Sequence, residues 1–166
     1  MNWKVKFDDL GAHDYKNDEY YTPEVALECL LDYVPKSGVV WDCTDTSGNI
    51  TGFFGRNGYG VVSTKDDFFT HSEGLGDILI TNPPYSKKTD FLKHAYELGK
   101  PFAMLLPLTA LEGVNRQKLY REYGLQLILF NRRINFIKGK SGVWFATGWF
   151  TYNMNLPRDM NFIEVK

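Results

Sequence analysis

Cysteine is scarce in this chain: Cys29 and Cys43 are the only two in 166 residues, and neither has metal-ligand spacing to a second donor. That excludes a disulfide-stapled secreted scaffold, and both thiols read as reduced core residues. Histidine is as sparse. His13 and His71 fall in polar loops without a ligating partner, and His94 reads as a surface residue on a helix, so no metal site is expected. No apolar run approaches the roughly 18 residues of a membrane-spanning helix. The first residues, MNWKVKFDDLGAHDYKNDEYY, are polar and acidic and do not form a secretory signal. These absences point to a cytoplasmic protein with no membrane partner.

What is present argues for a folded domain. Apolar residues make up 43% and aromatics 16% of the chain, enough to build a core. Residues 1–18 read as a polar arm and 19–166 as one domain. Charge is unevenly spread: residues 1–83 hold six Lys and Arg against 14 Asp and Glu, while residues 84–166 hold thirteen against six. A basic second half suits a polyanionic partner, although solvated surface lysines give the same count.

Helical and extended segments alternate. In YYTPEVALECLLDYV, Thr22 is the expected N-cap and Pro23 the first helical residue, with Val25, Leu27, Leu30, Leu31 and Val34 on one face. Strands are expected at 39–43, 59–65, 77–82, 101–108, 125–131 and 143–153. Between them lie helices near 50–57, 89–99 and 112–123. This alternation predicts a three-layer αβα sandwich around a mainly parallel sheet, with an antiparallel strand near the C-terminus.

The stretch DILITNPPYSKK carries the chemistry. A strand runs into Asn82-Pro83-Pro84-Tyr85, where two prolines stop pairing and stiffen the corner. Open α/β sheets place ligands at such strand ends. The Asn82 side-chain oxygen and the Pro83 carbonyl are two acceptors, and the Tyr85 ring is a platform. Together they suit an exocyclic amine on a flat heterocycle such as adenine.

These residues resemble the catalytic motif of S-adenosylmethionine-dependent amino-methyltransferases, above all the adenine-N6 DNA enzymes and their small phage-type members. YYTPEVALECLL is similar to their helix-opening segment, and RINFIKGKSGVWFATGWFTY to their late aromatic strand. The resemblance spans about residues 19–153 and implies a Rossmann-like fold. It implies catalytic roles for Asn82, Pro83, Pro84 and Tyr85. It also implies donor contacts from Tyr21, Thr22 and Pro23, from Asp42, Thr44 and Gly48 of the loop DCTDTSGNI, and from Asp66, Asp67 and Phe68. A flipped target base would meet Tyr85 and Phe136, with Lys87, Lys88 and Arg133 on phosphates beside Arg132, Lys138 and Lys140. Phe136 reads equally well as core.

Two departures stand out. Asp45-Thr46-Ser47 replaces an expected glycine, and Lys65 stands where a ribose-binding acid is expected. They motivate a competing reading, a methyltransferase fold that only binds nucleic acid or protein. With no room for an added target-recognition domain, the resemblance implies low sequence specificity, dimerisation or a recognition partner. DNA is favoured over RNA as the substrate.

Overall fold

The computed structural model describes residues 21–44, 47–136 and 145–166. The arm over 1–18 with His13, Asp45 and Thr46 of the loop, Lys138 and Lys140, and Val143 and Trp144 of the last expected strand lie outside the described residues.

The strands are β1 (Val39–Asp42), β2 (Gly60–Ser63), β3 (Ile78–Thr81), β4 (Phe102–Pro107), β5 (Gln126–Phe130), β6 (Thr147–Tyr152) and β7 (Met160–Ile163). They form one sheet in the order β2-β1-β3-β4-β6-β5-β7. Neighbours pair in parallel except β6, which runs antiparallel to both β4 and β5. The central strands β3 and β4 are buried at every position, which is why they read as unbroken apolar runs.

Helix α1 (Glu24–Leu27, continued as a 3-10 helix over Glu28–Asp32) and α2 (Asn49–Arg56) pack on one face of the sheet. Helices α3 (Lys88–Leu98) and α4 (Val114–Tyr123) pack on the other. The result is the expected αβα sandwich. The indole of Trp149 in β6 donates to the carbonyl of Ala26 at 2.7 Å, tying α1 to the sheet's middle. Full burial of a side chain this size stabilises by roughly 2–3 kcal/mol.

Three local expectations need correcting. Thr22 does not cap α1. Pro23 is the N-cap residue, because the Thr22 hydroxyl is engaged by the side chain of Asn82. The helix is also not continuous, and tightens to 3-10 after one turn. His94 is half-buried instead of on the surface, edge-on to Phe68 at 4.7 Å, with Nε2 donating to the His71 carbonyl.

Strand β7 is an addition that the sequence pattern does not announce. It inverts the usual alternation: Met160 and Phe162 are exposed while Asn161 is buried. The Asn161 amide can be buried because it donates to the carbonyls of Leu127 and Arg158.

Candidate active site

The sheet's order turns at β1. The chain leaves β1 for β2 on one side and returns through β3 on the other. Between β1 and β3 the following loops diverge, which opens a crevice at the carboxyl ends of the strands. Asp42 ends β1 and Asn82 follows β3 directly. A cleft of about 770 Å³ opens there, within the size range of cofactor sites.

A buried polar network shapes its floor. Oδ1 of Asp42 accepts from the Thr81 hydroxyl at 2.7 Å and from the Thr44 backbone N–H at 3.0 Å. The Thr44 and Thr81 hydroxyls lie 2.6 Å apart. Thr81 spends its single proton on the carboxylate, so Thr44 is the donor of that pair. The carboxylate thus fastens the loop after β1 to the end of β3, through charge-assisted bonds stronger than neutral ones.

Asn82 sits beside this network. Its amide nitrogen donates to Thr22 Oγ1 at 3.1 Å, and Asn49 donates to the Thr22 carbonyl at 3.4 Å. Thr22, itself buried, therefore ties α2 and the end of β3 to the segment entering α1. The next residues form a 3-10 turn (Tyr85–Lys87), in which the Lys88 ammonium donates to the Tyr85 carbonyl at 3.1 Å.

The far wall is acidic and aromatic. Phe68 stacks on Phe91 with centroids 5.0 Å apart, and Phe69 meets Phe91 edge-on. The Asp67 carboxylate accepts from the Phe69 N–H and caps this short turn. Asp66 Oδ2 lies 3.1 Å from His71 Nε2, and His71 packs edge-on against Trp41. The His94 ring supports Phe68 and Phe69 from below.

Of the residues singled out in the sequence, the cleft brings together Thr22, Asp42, Thr44, Asp66, Asp67, Phe68, Asn82, Pro84 and Lys87. It does not include Tyr21, Pro23, Gly48, Pro83, Tyr85, Lys88, Arg133 or Phe136 in its lining. Gly48 instead starts α2 in the left-handed region, φ 72°, where glycine is unstrained. Tyr85 is only 4% exposed and packs edge-on to Phe145. Phe136 belongs to the core on the α1 side of the sheet.

Ile50, Thr64 and Phe91 line the cleft without having been singled out, and Cys43, expected only as a core thiol, lines it with them. Apolar or small and uncharged, they carry no sequence signal beyond core. Lys65 lines it as well, exposed at the rim.

Both thiols are held protonated. Burial pushes Cys29 up to about 12, and burial with the neighbouring Asp42 charge pushes Cys43 well above its ordinary value. Neither is a thiolate nucleophile at neutral pH. Among the described residues, no group of three His, Cys, Asp or Glu could hold a metal ion. Among the same residues no helix is long and apolar enough to cross a membrane.

A donor with an ammonium, a ribose diol and a purine fits this lining. Carboxylates at Asp42, Asp66 and Asp67 suit the cation and the diol, and the Phe68 and Phe69 rings suit the purine.

The sequence matches no protein-family model and no curated protein. Solved structures do match. A Pyrococcus horikoshii protein described as a candidate RNA methyltransferase aligns over 85% of this chain and 88% of its own, at 15% identity and TM-score 0.57. The modification subunit of a candidate type I restriction enzyme from Vibrio vulnificus aligns over 95% of this chain and 49% of its own, at 11% identity and TM-score 0.58. A candidate class I S-adenosylmethionine-dependent methyltransferase from Listeria monocytogenes aligns over 92% of this chain and 68% of its own, at 11% identity and TM-score 0.58. At these identities the likeness is one of architecture: the chain has the Rossmann-like fold of the class I methyltransferases.

Proposed function

We propose that this protein transfers a methyl group from S-adenosylmethionine to the N6 amine of adenine in DNA. The observation that carries the reading is the placement of Asn82. Its amide is oriented by Thr22 at the mouth of a cleft between β1 and β3, directly before a rigid Pro83-Pro84 corner.

When bound, S-adenosylmethionine supplies an electrophilic methyl group on a sulfonium. The chain's own residues do the rest. Asp42, Asp66 and Asp67 hold the donor, and Phe68 and Phe69 flank its purine. Asn82 Oδ1 in the cleft and the Pro83 carbonyl, next to the cleft lining in the chain, accept the two amine hydrogens of the target. That draws the nitrogen lone pair out of conjugation and aims it at the methyl group. The amine proton leaves to solvent after transfer, so no strongly shifted base is required. The protonated thiols of Cys29 and Cys43 argue against a route through a covalent cysteine adduct.

A target base must leave the duplex stack to reach the cleft. Lys87 at the cleft and Arg133, in the segment that follows β5, supply phosphate contacts that carry no sequence readout. In this reading residues 19–166 act as one cytoplasmic domain, and sequence preference comes from a second copy or a partner.

A second reading, the same chemistry on RNA, is favoured by the likeness to the candidate RNA methyltransferase from Pyrococcus horikoshii. A third, a fold that binds nucleic acid without catalysis, is favoured by Lys65 at the rim of the donor cleft.

The test pairs calorimetric titration of S-adenosylmethionine with methylation assays on DNA and RNA. Micromolar donor binding and adenine methylation of DNA are expected. Asn82→Ala should lower transfer by about a hundredfold or more while leaving donor affinity nearly intact. Equal activity in that variant sinks the mechanism. Transfer to RNA alone installs the second reading. Nucleic-acid binding without donor binding installs the third.

A further inference from the structure

The strand that the sequence pattern did not announce is also an edge of the sheet. Among the described residues β7 has β5 on one side and no strand on the other. The N–H of Leu127 donates to the Asp159 carbonyl and that of Asn131 to the Ile163 carbonyl. Asp159 and Ile163 thus turn their backbone groups towards β5. By the period of a strand, Met160 and Phe162 turn theirs outward.

The same two residues carry exposed side chains: Met160 is 55% and Phe162 77% exposed. Arg158, in the bend that precedes the strand, and Glu164, directly after its last residue, are exposed as well. Along the chain the even positions 158, 160, 162 and 164 read cation, apolar, apolar, anion, with the two apolar members on one face of the strand. Natural edge strands are usually blunted by charge, proline or a bulge, and this one presents methionine and phenylalanine instead.

That order is self-complementary under a two-fold axis. If two copies of β7 pair antiparallel about Asn161, Met160 faces Phe162 of the second copy and Phe162 faces its Met160. In the same register Arg158 faces Glu164, and Glu164 faces Arg158. The outward backbone groups of Met160 and Phe162 then lie opposite each other, as the ladder requires. Moving the axis to Phe162 sets Met160 against Glu164 and Arg158 against Lys166. Moving it to Met160 sets Phe162 against Arg158. Only the register about Asn161 puts apolar on apolar and charge on opposite charge.

We propose that β7 is the interface of a two-fold dimer, in which two copies join their sheets edge to edge through Met160 and Phe162, with Arg158 and Glu164 as reciprocal ion pairs. Isologous contacts of this kind close on themselves and stop at two. The interface lies at the opposite end of the strand order from the β1–β3 cleft and would leave it open in both copies. The proposal does not depend on the reaction assigned to that cleft.

Sedimentation velocity of the full chain over a concentration series tests it, because the readout is mass and not activity. The wild type is expected to shift from monomer to dimer with rising concentration. Phe162→Glu should remain monomeric, with an unchanged far-UV spectrum because the side chain is exposed. Arg158→Glu and Glu164→Arg should each weaken dimerisation by about tenfold, and the double variant should recover most of the loss. A wild type that stays monomeric throughout overturns the proposal. So does a dimer that Phe162→Glu leaves intact, or a double variant no better than either single one.

Discussion

The amide nitrogen of Asn82 donates to the hydroxyl of Thr22 across 3.1 Å, joining positions 60 residues apart. One residue belongs to the segment entering α1 and the other to the end of β3. The bond engages the nitrogen end of the Asn82 amide. It also places Thr22, which lines the cleft, in direct control of the residue proposed to accept the target amine.

Replacing Thr22 by valine removes that acceptor while keeping the shape. Methyl transfer in Thr22→Val should fall about five- to tenfold in kcat, the cost of one ordinary hydrogen bond. Thr22→Ser should restore it. The side-chain amide resonance of Asn82 should move in Thr22→Val and return in Thr22→Ser, with no donor present. An unmoved resonance would remove Thr22 from its positioning role.

Adjacent lysines should behave differently. Lys87 is exposed and lines the cleft, whereas Lys88 donates to the Tyr85 carbonyl and closes the turn of the motif. Lys87→Ala should weaken nucleic-acid binding evenly across sequences and reduce the salt-dependence slope by about one. Lys88→Ala should leave that slope unchanged and lower the melting temperature. Binding isotherms at several salt concentrations, with thermal melts, separate the two.

The thiols predict an alkaline loss of stability. Burial raises Cys29 from its ordinary 9.0 to about 12, and Cys43 is raised well above the same value. Above pH 9 the unfolded chain releases thiol protons that the folded chain keeps. Stability is therefore full below that pH and falls as pH rises towards 12. Each thiol adds a slope of about 1.4 kcal/mol per pH unit in that window. Urea unfolding at intervals from about pH 8 to about pH 11 should show the decline, and Cys29→Ala should flatten it by one thiol's share.

Much of the architecture was legible because it is written in local patterns. Buried strands such as Ile78–Thr81 and Phe102–Pro107 are runs of apolar side chains, and Phe91, Leu92, Ala95 and Leu98 recur at helical spacing. Pro83-Pro84 stops a strand wherever it stands. Where a local rule met a tertiary demand, the tertiary demand prevailed. Thr22 has the chemistry of an N-cap, yet its hydroxyl answers Asn82. Met160–Ile163 has the apolar positions of a strand turned the wrong way out, because Asn161 finds two carbonyls in the interior.

The order of the elements, the strand-ending Asn-Pro-Pro-Tyr and the uneven division of charge depend on neighbours along the chain and are read from it directly. Long-range packing is what brings Asp42 to Thr44 and Thr81, buries Tyr85 against Phe145 and, among the described residues, leaves β7 as an edge beside β5. Those outcomes depend on which strand ends lie side by side. That is set by packing two helical layers on one sheet, and no stretch of neighbouring residues encodes it.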